Sequence, residues 1–177
     1  MSQQSNPRSA APWVVAGALA LIAAVLVVLV VRVRAVGDDN TRNAGQLLAP
    51  TQSQQQAVEA GATEAANLTT LSRSKYQADF ARALAGATGN LAKDLRSHKA
   101  AYLSAMTAGK FDLKASVVQS AFESEADGKV LVLVTLNGTH VVDKVANPVA
   151  TPQRLELTMV RSGNSWLASE FVVVGVQ

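Results

Sequence analysis

Cysteine is absent from all 177 residues. Disulfides, thiolate nucleophiles and cysteine-ligated zinc or iron–sulfur centres are therefore excluded. Histidine is nearly absent too: His98 and His140 are the only two, so a three-histidine metal site is impossible. Aromatic residues make up 5 % and charged residues 16 %, against the roughly one quarter charged in an ordinary soluble domain. With so little charge and 49 % hydrophobic residues, the composition is the reverse of a disordered chain. A concentrated basic stripe is missing as well. The net charge is +3, but Arg8, Arg32, Arg34 and Arg42 stand in the first 42 residues against Asp38 and Asp39. From Asn43 onward, 12 basic residues face 11 acidic ones. Nucleic-acid binding needs phosphate contacts from such a stripe, so it is not expected.

What is present begins with one long apolar run. Trp13 to Val31 reads WVVAGALALIAAVLVVLVV, without a charged side chain. At 1.5 Å per residue such a helix covers roughly 28 Å, close to the ~30 Å hydrocarbon core of a bilayer. Trp13 suits one interface, and Arg32 and Arg34 can snorkel at the other. A cleaved signal peptide has a shorter apolar core and a small-x-small site behind it; here the run ends in Val-Arg-Val-Arg. The expectation is an uncleaved transmembrane helix over 13–31, after a short polar N-terminus at 1–12. Arginines after the span outnumber Arg8 before it, and this count alone keeps the C-terminal domain in the cytoplasm.

Residues 32–50 read as a juxtamembrane linker, polar and punctuated by Gly and Pro from Gly37 to Pro50. Residues 51–177 read as one α+β domain, helical over 51–109 and stranded over 115–175. Thr51 to Leu71 is rich in Gln, Ala and Glu, with Thr51 or Ser53 available as N-cap. Ala57, Ala60, Glu64 and Leu68 make no strong apolar stripe, so a helix rising off the membrane is expected, packed on a neighbour or solvated as a stalk. Tyr76, Phe80, Ala83, Leu84 and Ala87 share one helical face. Asn90 is the expected cap of a third helix lined by Leu91, Leu95, Tyr102 and Met106, and Gly109 its left-handed terminus.

After Gly109 the period changes from 3.6 to 2. Strands are expected over Ala115–Ser124, Lys129–Asn137 with extension through Val142, Arg154–Arg161 and Trp166–Val174. Asp127-Gly128 marks one hairpin. A two-residue Gly163-Asn164 turn makes another, setting Arg161 opposite Trp166 and Leu157 opposite Glu170. Helices followed by hairpin-connected strands imply helices covering one face of a curved antiparallel sheet of about four strands.

Catalytic constellations are sparse. No phosphate loop, nucleophile elbow, zinc-protease helix or calcium loop occurs. Asp94 and His98 are spaced to pair on one helix, a common surface arrangement. Glu156 and Glu170 lie in apolar strands, where a carboxyl facing a cavity would have a raised pKa; the commoner reading is a solvent-facing sheet surface. Asn67-Leu-Thr and Asn137-Gly-Thr match a glycosylation pattern too short to carry weight. Should a cavity lie under the sheet, Tyr76, Tyr102 and Glu170 are the candidate polar groups of a pocket. No catalytic residue, cofactor or metal ligand is assigned.

The order of motifs carries a resemblance. One span is followed by Tyr76-x-x-Asp79-Phe80-Ala81-Arg82-Ala83-Leu84, Ala87-Thr88-Gly89, Lys129-Val-Leu-Val-Leu-Val and Arg161 … Ser165-Trp166-Leu167. From about Trp13 to Val174 this resembles the Mce-associated membrane proteins of actinobacteria, accessory to the mammalian cell entry (Mce) lipid transporters. Leu91 and Ser165 depart from that pattern. The resemblance implies a cystatin- or NTF2-like cone related in shape to VirB8, on the extracytoplasmic side of the plasma membrane, against the arginine count. It also implies a non-enzymatic accessory role beside Mce transporter subunits and the lipid bilayer in lipid or sterol import. A lipid-binding NTF2-like domain and a VirB8-like secretion subunit are the alternatives.

Overall fold

A computed structural model describes residues 49–143 and 150–176. The apolar run Trp13–Val31, the N-terminus 1–12 and nearly all of the linker 32–50 lie outside the described residues. Among those described, no helix is long and apolar enough to cross a membrane. The chain forms α1 (Gln52–Thr69), a 3₁₀ turn (Arg73–Lys75), α2 (Tyr76–Ala85) and α3 (Gly89–Gly109), then β1 (Phe111–Ala126), β2 (Lys129–Val142), β3 (Ala150–Ser162) and β4 (Ser165–Val176). The strands pair antiparallel in the order β1-β2-β3-β4. Three helices pack on one face of this sheet, an NTF2-like α+β arrangement.

α1 starts where Thr51 and Gln54 satisfy each other's backbone. The Thr51 N–H donates to Gln54 Oε1 at 2.8 Å and the Gln54 N–H to Thr51 Oγ1 at 3.2 Å, a capping box. Its buried face is Ala57, Val58, Gly61, Glu64 and Ala65. Those small residues let the helix axis come close to the sheet: a Cβ on Gly61 would lie 3.0 Å from Val132 Cγ1. α1 is therefore a core element and not a stalk. It shows no large apolar stripe because its side of the contact is built from missing side chains.

Both predicted ends of α3 shift, the N-cap by two residues and the left-handed terminus by one. α3 begins at Gly89, in a left-handed conformation (φ 54°), after Thr88 in the N-cap position; Asn90 lies inside the helix. At the other end Lys110 (φ 51°), not Gly109, takes the left-handed position, and its N–H reaches Met106 O and Thr107 O. Gly109 is required for a different reason: a Cβ there would lie 2.7 Å from the Phe111 ring.

β2 carries the clearest pattern. Val130, Val132, Val134 and Leu136 are fully buried, while Leu131, Leu133 and Thr135 between them are half-buried on the opposite face. Leu155, Leu157 and Met159 of β3 and Ala168 of β4 complete the inner face, each 0 % exposed. Burying one such Leu or Met contributes about 1.5–3 kcal/mol. β1 starts at Phe111, earlier than the expected Ala115, because Phe111 and Leu113 also turn inward. The Leu71 N–H donates to Leu113 O at 3.0 Å and the Leu113 N–H to Leu71 O at 2.9 Å, extending the ladder.

β2 and β3 pair without a break from Lys129↔Val160 to Thr139↔Ala150. Both outer strands contain extra residues: Val118 and Glu123 in β1, Ser169 and Val174 in β4. The tight turns form as expected, with Asp127 and Gly128 both at positive φ and Arg161 opposite Trp166. The expected Leu157–Glu170 pair does not form. The extra Ser169 moves Glu170 opposite Thr158 and sets Phe171 opposite Leu157.

Candidate functional site

In a cone of helices on a curved sheet, the space between the layers is where a small molecule would lie. Here that space is filled by side chains: the inner faces of β2 and β3 meet Ala57, Ala65, Phe80, Leu91, Leu95 and Met106 in one apolar cluster. Tyr76 is 3 % exposed, and its hydroxyl donates to the Lys99 carbonyl at 2.6 Å, tying α2 to α3. Burial pushes its pKa up to about 12. Tyr102, half-buried on α3, is also pushed up to about 12, by burial first and then by Tyr76 and Asp94. Both phenols stay protonated at neutral pH. Glu170 sits half-buried on the opposite face of the sheet, in the row formed by Leu131, Thr158 and itself. The three pocket candidates thus do not converge: two tyrosines belong to the helix layer and the glutamate to the outer surface.

Two carboxyls are buried among the described residues, Asp79 and, most deeply, Glu64 on α1, only 2 % exposed. Its Oε2 accepts from Asn67 Nδ2 at 3.3 Å, while Oε1 has no partner among the described residues. Burial pushes its pKa up to about 8, opposed by the Asn67 hydrogen bond and the Arg82 charge. The carboxyl presses against Gly86, where an added Cβ would fall 1.8 Å from Oε2. Gly86 opens the turn that joins α2 and α3 to the sheet: the Ala168 N–H donates to Gly86 O at 2.9 Å and the Thr88 N–H to Ala168 O at 2.8 Å. Asn67 is shared with Arg82, whose Nε donates to Asn67 Oδ1 at 2.9 Å and whose Nη1 reaches Asp79 Oδ1 at 3.0 Å. Asp79 in turn accepts the Ser72 N–H at 2.9 Å. A single polar chain therefore runs from Glu64 through Asn67, Arg82 and Asp79 to the elbow between α1 and α2.

A second clasp closes the same elbow. The Arg73 backbone N–H and Nε both donate to Asp112 Oδ1, at 2.9 and 3.0 Å, and its guanidinium also pairs with Asp143. The Arg73 N–H, then its side chain, hold the Asp112 carboxyl below its usual range, and the two aspartates keep Arg73 charged. The side chains are partly solvated, so solvent screening keeps the pairs weak. The clasp fixes position: it seats the elbow on the start of β1 and the end of β2.

A polar cleft of about 520 Å³ lies between α1 and the β3–β4 turn, lined by Gln56, Glu59, Thr63, Arg161, Asn164 and Trp166. Arg161 stands over the Trp166 ring at 5.9 Å. The Trp166 indole N–H is buried without an acceptor among the described residues. The cleft brings together a cation, a carboxylate and amides, and the Thr63 hydroxyl in it donates to the Glu59 backbone carbonyl at 2.9 Å. His98 has no acid partner: its Nδ1 lies 2.9 Å from the Asp94 backbone carbonyl, so the expected side-chain pair is not made. His140 stacks on Phe111 at 5.5 Å, and burial lowers its pKa. No group of three or more metal-ligating side chains occurs among the described residues.

Glu64 and Arg73 escaped the sequence reading for distinct reasons. Arg73 meets partners 39 and 70 residues away, a contact without local signature. Glu64 did carry a signal, as a lone acid between Gly61 and Ala65 on a face of small residues. Asn67, the first glycosylation match, is spent on Glu64 and Arg82.

No protein-family model and no curated protein matches this chain. Several solved structures share its fold. A periplasmic fragment of TraM superposes with a TM-score of 0.54 at 15 % identity, covering 70 % of this chain and 98 % of that one. Agrobacterium tumefaciens VirB8 gives 0.57 at 7 % identity, covering 73 % and 97 %. A proposed aromatic ring hydroxylase from Novosphingobium aromaticivorans gives 0.53 at 12 % identity, covering 73 % and 95 %. At these identities the likeness concerns the fold alone.

Proposed function

We propose that the chain is a non-enzymatic assembly subunit of an envelope transport complex, anchored by Trp13–Val31 with its domain on the extracytoplasmic side. The observation that carries this reading is the filled inner face. Core side chains occupy the space in which an NTF2-like enzyme or lipid carrier would hold its ligand, so the domain has its outer surfaces to work with. The polar groups near the elbow are engaged with one another, which makes them positioning elements. An anchored domain also gains effective concentration at the membrane, so a modest interface suffices for assembly.

Two complexes compete for this subunit. Similarity of fold to VirB8 and to the periplasmic fragment of TraM, over nearly the whole of each, favours a secretion-type, VirB8-like role. The motif order from Tyr76 to Leu84, Ala87 to Gly89 and Arg161 to Leu167 favours the Mce lipid-import role. The structural likeness spans the whole domain, and we take the secretion-type reading as the leading one.

Affinity purification of the tagged full chain from its own membranes in mild detergent, with mass spectrometry of what accompanies it, tests the proposal. Co-purified secretion components support the leading reading, and Mce subunits with their permease transfer the role to lipid import. A chain that comes out alone, with stoichiometric lipid in the domain, would sink the assembly role and restore the ligand-binding alternative.

A further inference from the structure

The α2–α3 turn, Gly86 to Thr88, meets β4 through an isolated parallel bridge between Ala87 and Ala168. In it the Ala168 N–H donates to Gly86 O at 2.9 Å and the Thr88 N–H to Ala168 O at 2.8 Å. Gly86 opens the turn and Gly89, at φ 54°, follows it, so both flanks take up backbone rotation at little steric cost. α1 is held more firmly, by the Thr51 capping box at its start and by Gly61 seated on Val132. The Glu64 carboxyl is wedged between these two parts, against Gly86.

The surroundings of Glu64 suit a neutral acid. It accepts one hydrogen bond, from Asn67 at 3.3 Å, and its Oε1 has no partner among the described residues. A carboxylate buried there without paired donors is costly, and burial accordingly pushes its pKa up to about 8. On α2, Arg82 is committed to Asn67, Asp79 and the Thr70 carbonyl, and the Tyr76 hydroxyl is turned to Lys99. The charged groups that the strands bring to α1 stand at its ends. Glu125 and Arg161 bond Gln54 and Ser53 in the first turn, and Asp112 pairs with Arg73 beyond the last. His140 of β2 stacks on Phe111, at the start of β1. Lys114, Glu123 and Lys129 are exposed, and Arg154, Glu156 and Glu170 lie on the opposite face of the sheet.

We infer that Glu64 works as a proton-operated latch on this turn: as a neutral acid it lets Gly86 and Thr88 close onto Ala168, and as an anion it forces them off. An ionised carboxyl needs water or a free donor, and the turn that covers it is joined to β4 by two backbone hydrogen bonds. Swinging about Gly86 and Gly89, the turn uncovers Ala87 and Ala168, both buried while it is closed. Contact between helices and sheet at this seam therefore responds to pH while β2 and β3 stay paired. The latch operates whichever complex the domain joins.

Amide hydrogen exchange of the full chain in mild detergent, read by mass spectrometry and divided by the intrinsic rate at each pH, tests the latch. Peptides covering 84–92 and 165–171 report the turn, and one covering 130–136 reports unfolding of the whole domain. The turn should exchange faster than β2 at both pH 6.5 and pH 7.5, and about tenfold faster at the higher pH, as one unit of proton linkage requires. Glu64→Gln, which keeps the shape without the titrating proton, should exchange equally at both. The double variant His98→Gln with His140→Gln lacks both histidines and should keep the full rise, a check that stands even if Glu64→Gln does not fold. Coincident exchange of turn and β2 would mean that the seam opens only when the domain unfolds, and overturns the inference. A turn rate independent of pH overturns it too, as does a rise that survives Glu64→Gln or disappears with the histidines.

Discussion

α1 and β2 press against each other where Gly61 meets Val132, yet the two elements reach that contact by opposite means. β2 brings bulk: Val130, Val132, Val134 and Leu136 fill the interior with branched side chains. α1 brings room, with Ala57, Gly61 and Ala65 clearing the path, and then places the domain's most buried carboxyl, Glu64, in the same row. The strand contributes transfer free energy in proportion to area, whereas the helix contributes closeness of approach, which makes the strand's burial complete. Close packing of this kind tolerates neither added volume on the helix nor removed volume on the strand.

Removing volume is expected to have the largest effect. Leu136→Ala should destabilise the domain by about 2–5 kcal/mol, read from urea unfolding midpoints, because a fully buried side chain leaves a cavity in the core. A loss below about 1 kcal/mol would mean that the surrounding core collapses onto the gap and is less rigidly packed than described.

Glu64→Gln comes next and depends on pH. In the unfolded chain this carboxyl titrates near its ordinary 4.5, and in the fold near 8. Between those values the unfolded state releases a proton that the folded state keeps, so stability is full below pH 4.5 and falls as pH rises toward 8. Glu64→Gln should remove that slope, flattening a decline of roughly 2–4 kcal/mol between pH 5 and 8. Unfolding curves across this range check it; an unchanged slope in the variant would assign the pH dependence to another group.

Adding volume is the smallest of the three. Gly61→Val should cost about 1–3 kcal/mol through collision with Val132, and the double variant with Val132→Ala should recover part of the loss. Additive losses in that double-mutant cycle would place the two residues out of contact.

How much of this was legible followed the same division. β2 and β3 could be read because bulk leaves a mark: alternating Val and Leu announce which face is buried, and Asp127-Gly128 announces the turn. The helix-on-sheet class followed from that. α1 was read as a helix but left undecided between packed and solvated, since a contact made of glycine and alanine has no apolar stripe to read. The register of β4 failed at Ser169, where a bulge added one residue that no local propensity marks. For the candidate site, Glu156 and Glu170 stand out in the sequence as carboxyls within apolar strands, while the carboxyl that burial perturbs, Glu64, lies on a helix. Tyr76, expected as a polar group of a pocket, is buried with its hydroxyl donating to the Lys99 carbonyl.

The extra residues in β1 and β4 have a bearing on how this domain enters a larger assembly. A sheet edge recruits a foreign strand only where it offers an uninterrupted row of backbone donors and acceptors. Here one edge is broken at Val118 and Glu123 and the other at Ser169 and Val174, and the first and last of these stand out in solvent at 60 % and 49 % exposure. Each interruption shortens the regular stretch of edge that either margin presents to a foreign strand.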